Sequence, residues 1–280
     1  MFEIYSKDYV KEAKASMSER VEALKAKGIE PSMTTFLVEG RSANAAYAKV
    51  KGKFADSVGV KYNLVELPAE TTTEDLIKEI QKCNEDENTH GIMVEMPLPE
   101  HINEADVRLA LDPKKDVDAL HPIHLGNLLH QRPSTIPNTP LAAMKMLELA
   151  DTELKGTDCV VIGNSAVVGR PLAELLQQKD ATVTICHIFT KDTAKFTREA
   201  DVVCSATGVP GLVTEDMIKE GATVIDIGTT YVDGKLHGDV DYENVAPKCR
   251  AITPVPGGVG PVTQVMLFDQ MITRLEKEAK

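Results

Sequence analysis

Cys159-Val160-Val161-Ile162-Gly163-Asn164-Ser165-Ala166-Val167-Val168-Gly169-Arg170-Pro171 is the stretch that decides the fold. Its first four residues form the unbroken apolar run of a strand covered on both faces. Small residues follow, and from Val168 the pattern turns helical. Strand, small-residue turn and helix N-terminus in this order make an anion-binding arrangement, because unpaired N–H groups and the helix dipole both favour negative charge. Only Gly163 and Gly169 are present, so the common G-x-G-x-x-G is incomplete. A dinucleotide site and a non-binding α/β layer both fit it.

Further strands are predicted at 34–38, 61–67, 91–94, 181–186, 201–206 and 222–227. Helices are predicted near 7–27, 42–57, 73–86, 140–149, 168–179 and 214–220, and a last one follows Pro261. Alternation of this kind argues for βαβ units and parallel sheets. The stretch from His130 to Pro140 is loop-like and marks a break. The fold class is therefore α/β, and the helix from about 141 links two domains.

The chain has 280 residues, enough for two ordinary domains, and a formal net charge of −12. That charge argues against non-specific binding to nucleic acid or anionic membranes, though not against a local anion site. No apolar run approaches a membrane span, and no secretory signal is visible. Cys83, Cys159, Cys186, Cys204 and Cys249 are widely spaced, which reads as free thiols in a reducing cytosol and not as a zinc site. The histidines form no metal-ligand spacing, so no metal is expected.

Several residues carry possible chemistry. Thr253-Pro254-Val255-Pro256-Gly257-Gly258-Val259-Gly260-Pro261-Val262-Thr263 is stiff and poor in side chains, which suits either a ligand site or an ordinary strand-to-helix connection. Tyr47 and Lys51 are four apart on a predicted helix and share a face, as a ring-stacking and proton-handling pair or as a surface pair. Asp116-Val117-Asp118 is a turn or a ligand-gripping carboxylate. His187-Ile188-Phe189-Thr190-Lys191, at the end of the second strand of the later domain, offers no carboxylate for a ribose and no arginine for a 2′-phosphate.

In combination these pieces resemble the methylenetetrahydrofolate dehydrogenase/methenyltetrahydrofolate cyclohydrolase family over nearly the whole length. The matching segments, in the family's order, are Tyr47-x-x-x-Lys51, Gly91-Ile92-Met93-Val94-x-Met96-Pro97-Leu98-Pro99 and Lys115-Asp116-Val117-Asp118 with His121-Pro122. Gly163-x-Ser165-x-x-Val168-Gly169-Arg170-Pro171 and Pro254-Val255-Pro256-Gly257-Gly258-Val259-Gly260-Pro261 complete the set. The resemblance implies a cytoplasmic homodimer whose protomer has two α/β domains: a folate-binding catalytic domain of residues 1–140 joined by 253–280, a Rossmann-type nicotinamide-binding domain of residues 141–252, and an active-site cleft between them. It implies oxidation of 5,10-methylenetetrahydrofolate with NAD or NADP, then hydrolysis of the methenyl product to 10-formyltetrahydrofolate. By position, Lys51 is the central catalytic residue, Tyr47 stacks on the folate, and Asp118 grips the pterin. Pro256, Gly257 and Gly258 line the substrate site. Gly163, Asn164, Ser165, Val168, Gly169, His187, Ile188, Thr207 and Gly228 hold the cofactor.

The departures from the family cluster around the ligands. Glu95 stands where glutamine is usual, and if it reaches Lys51 an ion pair stabilises the ammonium and makes the lysine a poorer base. Asp118-Ala119-Leu120-His121-Pro122-Ile123-His124 replaces D-G-x-H-P-x-N, and Asn138, Ala142 and Asn44 also differ. Family members commonly place a basic or small polar residue at the position of Ile188, or an arginine at that of Asn164, to hold a 2′-phosphate; neither charge is present here, which favours NAD over NADP. The alternatives are a single-activity dehydrogenase with weak cyclohydrolase activity and a non-catalytic folate- or nucleotide-binding protein.

Overall fold

The structure, a computed structural model, describes residues 2–39, 42–132 and 135–280, with the side chains of 42–47 outside the description. The first half carries β1 (Phe2–Glu3), α1 (Lys7–Lys25), β2 (Ser32–Val38), α2 (Ser42–Val58), β3 (Lys61–Leu67), α3 (Thr73–Glu85), β4 (Gly91–Val94), α4 (Glu104–Ala110) and α5 (Pro122–Leu129). The second carries α6 (Asn138–Leu149), β5 (Asp158–Ile162), α7 (Gly169–Gln177), β6 (Thr182–Cys186), α8 (Ala194–Thr197), β7 (Val202–Ser205) and β8 (Thr223–Asp226). It ends with β9 (Thr230–Val232), β10 (Lys235–His237), α9 (Tyr242–Val245), β11 (Ala251–Ile252) and α10 (Val259–Glu278).

Two compact units result, residues 1–10 with 136–266 and residues 11–135 with 267–280. The larger holds a parallel sheet in the order β1-β11-β8-β7-β5-β6. Cys159 and Val161 of β5 join one buried cluster with α6 and α7, while Val160 and Ile162 join another on the opposite face. Burial on both faces is the reason this strand is apolar at every position. The second unit has a parallel sheet ordered β3-β2-β4, with Phe36, Val38, Ile92 and Val94 packed against Leu76 and Ile80 of α3.

Structure and sequence expectation differ in several places. The helix expected at 214–220 is one 3-10 turn, Glu215–Met217. Stretches for which no helix was predicted form α4 and α5, started by side-chain caps: Asn103 accepts from the Ala105 N–H at 3.0 Å, and the His121 ring from Ile123 N–H at 3.2 Å. The unit boundaries also differ from 1–140 with 253–280. Residues 1–10 belong to the Rossmann-type unit because β1 pairs in parallel with β11, and Ser6 donates twice to the Gly257 carbonyl, which also ties in the 253–266 segment. From residue 267, α10 belongs to the other unit: Phe268 stacks on Phe54 with centroids 5.1 Å apart, and Arg20 bonds Asp269 and Glu276.

Phe268 is fully buried. Phe268→Ala is expected to cost about 3–5 kcal/mol, read as a lower denaturant midpoint for the 11–135 unit.

Candidate functional site

Lys51 and Glu95 are brought together in the smaller unit. Lys51 lies in α2, one helical turn beyond Tyr47, whose side chain is outside the described residues. Glu95 is the first residue after β4, anchored by its N–H to the Phe36 carbonyl at 2.9 Å. The Lys51 Nζ lies 2.5 Å from Glu95 Oε1, and both side chains are buried. Tyr62 of β3 sits close by, its ring against Gly52, where an added Cβ would lie 3.2 Å away. Burial pushes the Tyr62 hydroxyl up to about 12; the Thr35 hydroxyl partly offsets this and the Glu95 carboxylate adds to it.

Asp118 stands on a turn built by its neighbours. Asp116 bridges in parallel to Ile92 of β4, which sends the chain toward the end of the sheet that carries Glu95. The Asp116 carboxylate accepts the N–H of Asp118 at 3.2 Å and of His121 at 2.7 Å. Ala119, between them, has φ 55°. His124 Nε2 lies 3.5 Å from Asp116 Oδ2, and both side chains are completely buried. Burial raises Asp116 to about 7, with the Asp118 charge adding and the backbone N–H groups opposing. Burial lowers His124 to about 4, reinforced by His121.

In the larger unit the expected cofactor residues lie along one edge. Because its strands are parallel, Gly163, His187, Thr207 and Gly228 all follow strand carboxyl ends, and β5 has β6 on one side and β7 on the other. This reversal of strand order is where open α/β sheets bind ligands. Gly163 has φ 120°, and a Cβ there would lie 2.6 Å from the Ala206 carbonyl oxygen; one at Gly169 would overlap the Gly163 carbonyl. The turn is thus closed to side chains. Ser165 Oγ accepts from the N–H groups of Val168 at 3.1 Å and Gly169 at 3.4 Å, starting α7. Ile188 and Phe189 are 91% and 85% exposed. Pro256 is exposed, and Gly257 has φ 108°. A Cβ on Gly258 would lie 2.6 Å from the Pro254 carbonyl oxygen.

Four further groups were not singled out from sequence. Arg170 donates from Nε to Asn164 Oδ1 at 2.9 Å, bringing a guanidinium to the turn that had none at position 164. Asp239 accepts from Ser205 Oγ at 2.8 Å and from Thr207 N–H at 2.6 Å, and the α-carbon of Gly228 packs directly on its carboxylate. Asp226, raised to about 7 by burial, accepts the Asp239 and Val240 N–H groups. Tyr62 is the fourth. Asp239 and Tyr62 are near their partners only in space, so spacing along the chain carried no signal for them. Among the described residues no group of three or more His, Cys, Asp or Glu side chains is arranged to hold a metal. No described helix is long and apolar enough to cross a membrane.

Comparison with known proteins covers both halves. The family described as tetrahydrofolate dehydrogenase/cyclohydrolase, catalytic domain, matches residues 4–118, and that described as its NAD(P)-binding domain matches 137–279. A bifunctional protein FolD from Staphylococcus carnosus is 44% identical over 267 residues, covering 95% of this chain and 94% of the relative. The crystal structure of the bifunctional FolD methylenetetrahydrofolate dehydrogenase/cyclohydrolase from Campylobacter jejuni has a TM-score of 0.96 at 39% identity, covering 99% of each chain. The Trypanosoma brucei enzyme, complexed with NADP cofactor and inhibitor, gives 0.96 at 37% identity, covering 100% of this chain and 99% of that one.

The buried Asp116–His124 pair makes a pH prediction. Asp116, raised from 3.8 to about 7, keeps a proton that the unfolded chain loses, so its contribution falls as pH rises through that window. His124, lowered from 6.5 to about 4, refuses a proton that the unfolded chain takes, so its contribution rises with pH. The two slopes nearly cancel. His124→Asn removes only the second, so the stability gap to wild type should widen with pH by about 1.4 kcal/mol per unit between roughly pH 4.5 and 6.5. Urea unfolding across that range measures it; a pH-independent gap contradicts the assignment.

Proposed function

We propose that this chain, which belongs to the tetrahydrofolate dehydrogenase/cyclohydrolase family, oxidises 5,10-methylenetetrahydrofolate to the methenyl form and hydrolyses that product to 10-formyltetrahydrofolate. The observation that carries the reading is the buried 2.5 Å contact between Lys51 and Glu95. An ammonium taken out of water is costly, and a chain that only binds a ligand has no use for one beside the sheet edge.

In this reading Asp118 grips the donor edge of the pterin and Tyr47 stacks on its rings. Both hold the methylene carbon in line for hydride transfer. The side-chain-free turn from Gly163 to Gly169, at the start of α7, fits a dinucleotide pyrophosphate; Asn164, Ser165, Val168, His187, Ile188, Thr207 and Gly228 would surround the rest of the cofactor. Bound there, the oxidised nicotinamide supplies the hydride acceptor. Pro256, Gly257 and Gly258 contribute backbone to the substrate site. Lys51 handles the proton when water adds to the methenyl carbon and the ring opens, and Glu95, its partner at 2.5 Å, restrains that step.

NAD is our preferred acceptor. Exposed Ile188 and Phe189 support it, since neither can hold a phosphate; Arg170 beside Asn164 is the counterweight. We also propose a cytoplasmic homodimer, consistent with free cysteines and with exposed Tyr231 and Val232 on β9, and light scattering would measure its mass.

A spectrophotometric assay with methylenetetrahydrofolate tests the main reading, and reduction of neither NAD nor NADP would sink it. The Asn164→Arg, Ile188→Ser double variant is expected to shift preference toward NADP on the order of tenfold or more, the effect of one new charge-assisted contact. Glu95→Gln is expected to raise methenyl hydrolysis while leaving hydride transfer within about twofold, because the lysine loses its counter-charge. Unchanged hydrolysis would remove Glu95 as a brake on the second step.

A further inference from the structure

We propose that His124 is a positioning residue for the folate, acting through Asp116 on the turn that presents Asp118; this rests on the function proposed above. A continuous line of contacts runs from His124 to Asp118. His124 is in the first turn of α5 and bonds the backbone of Pro113, just ahead of the Asp116 turn. Its Nε2 faces Asp116 Oδ2 at 3.5 Å in a site closed to water. The same Oδ2 accepts the His121 N–H, and Oδ1 accepts the N–H of Asp118 itself. One carboxylate therefore fixes both ends of a four-residue turn, and the buried His124 ring packs against that carboxylate at 3.5 Å.

The turn needs that support. Ala119 sits at φ 55°, in the left-handed region where a side chain is strained, so the backbone that aims Asp118 is held against a local preference. The N-terminal residue of this arrangement, Asp116, is tied to β4 by its bridge to Ile92, and the C-terminal end is tied to α5 by the His121 cap. His124 is the side chain joining the two. A residue that merely fills space there could be replaced by an apolar one of similar volume without a ligand-specific effect.

The test uses the full chain in the dehydrogenase assay, with His124→Leu, His124→Asn, Asp118→Ala and the His124→Leu, Asp118→Ala double variant. His124→Leu is expected to raise KM for methylenetetrahydrofolate about tenfold, with KM for NAD and kcat within about twofold. His124→Asn, which keeps a donor at this position, should recover most of the loss. In the Asp118→Ala background His124→Leu should add less than twofold, because the residue it positions is gone. Equal shifts in both KM values, an unchanged folate KM, or the same tenfold effect without Asp118 would each overturn the proposal. If the leucine variant does not fold, His124→Asn with and without Asp118 carries the same cycle, and a folate KM unchanged in it also overturns the proposal. A wild type that reduces neither NAD nor NADP removes the functional reading and this proposal with it.

Discussion

Parallel strand pairing governs what the rest of this molecule can do. Neighbouring strands that run the same way cannot be joined by a tight turn, so each must return through a crossover, and every strand ends on the same edge of its sheet. In the larger unit that edge collects Gly163, His187, Thr207 and Gly228 from positions spread over 65 places in the chain's second half. In the smaller unit it collects Glu95 and, through the Ile92–Asp116 bridge, the turn bearing Asp118. Sheet interiors covered on both faces leave polar chemistry nowhere else to go.

That edge is also where the costly groups are found. Lys51 with Glu95, Asp116 with His124, and Asp226 beside Asp239 are buried ionisable sets, and each sits just past or against a strand end. Burial of charge opposes folding unless partners are supplied at close range, and an apolar pair of equal volume would often be no less stable. Here the partners are largely backbone N–H groups, so the carboxylates also serve to shape loops. The molecule spends stability on local shape at the edges and recovers it in the two apolar clusters of the larger sheet.

The sequence made the strands legible where periodicity is strongest. β3, β4 and β5 to β8 lie within a residue or two of their expected positions, since apolar runs bounded by small residues have few other readings. α4 and α5 were missed because their signals are caps (Asn103, and His121 with Pro122), which are one-residue cues inside polar stretches. The β9–β10 hairpin was missed although Asp233-Gly234 marks its turn, both with positive φ, because its strands are only three residues long. The Lys51–Glu95 contact was anticipated, since a charged residue in place of an amide asks for a counter-charge. Tyr62 and Asp239 were not, because nothing along the chain links them to Glu95 or Thr207, and Arg170 was not because its side chain turns back to Asn164 only once α7 has formed.

The boundaries of the two units fall inside α1 and α10, and this has a consequence for how the chain comes off the ribosome. Ser6 bonds Gly257, 251 positions later, and Arg20 bonds Glu276, 256 positions later. At about 5–20 residues per second, the first strand and first helix wait on the order of 12–50 s for their partners. Through that interval neither unit can close, and an apolar helix face is exposed while the middle of the chain is already able to pair. Demand for chaperone holding during that interval is therefore tied to segments made 251 to 256 positions later.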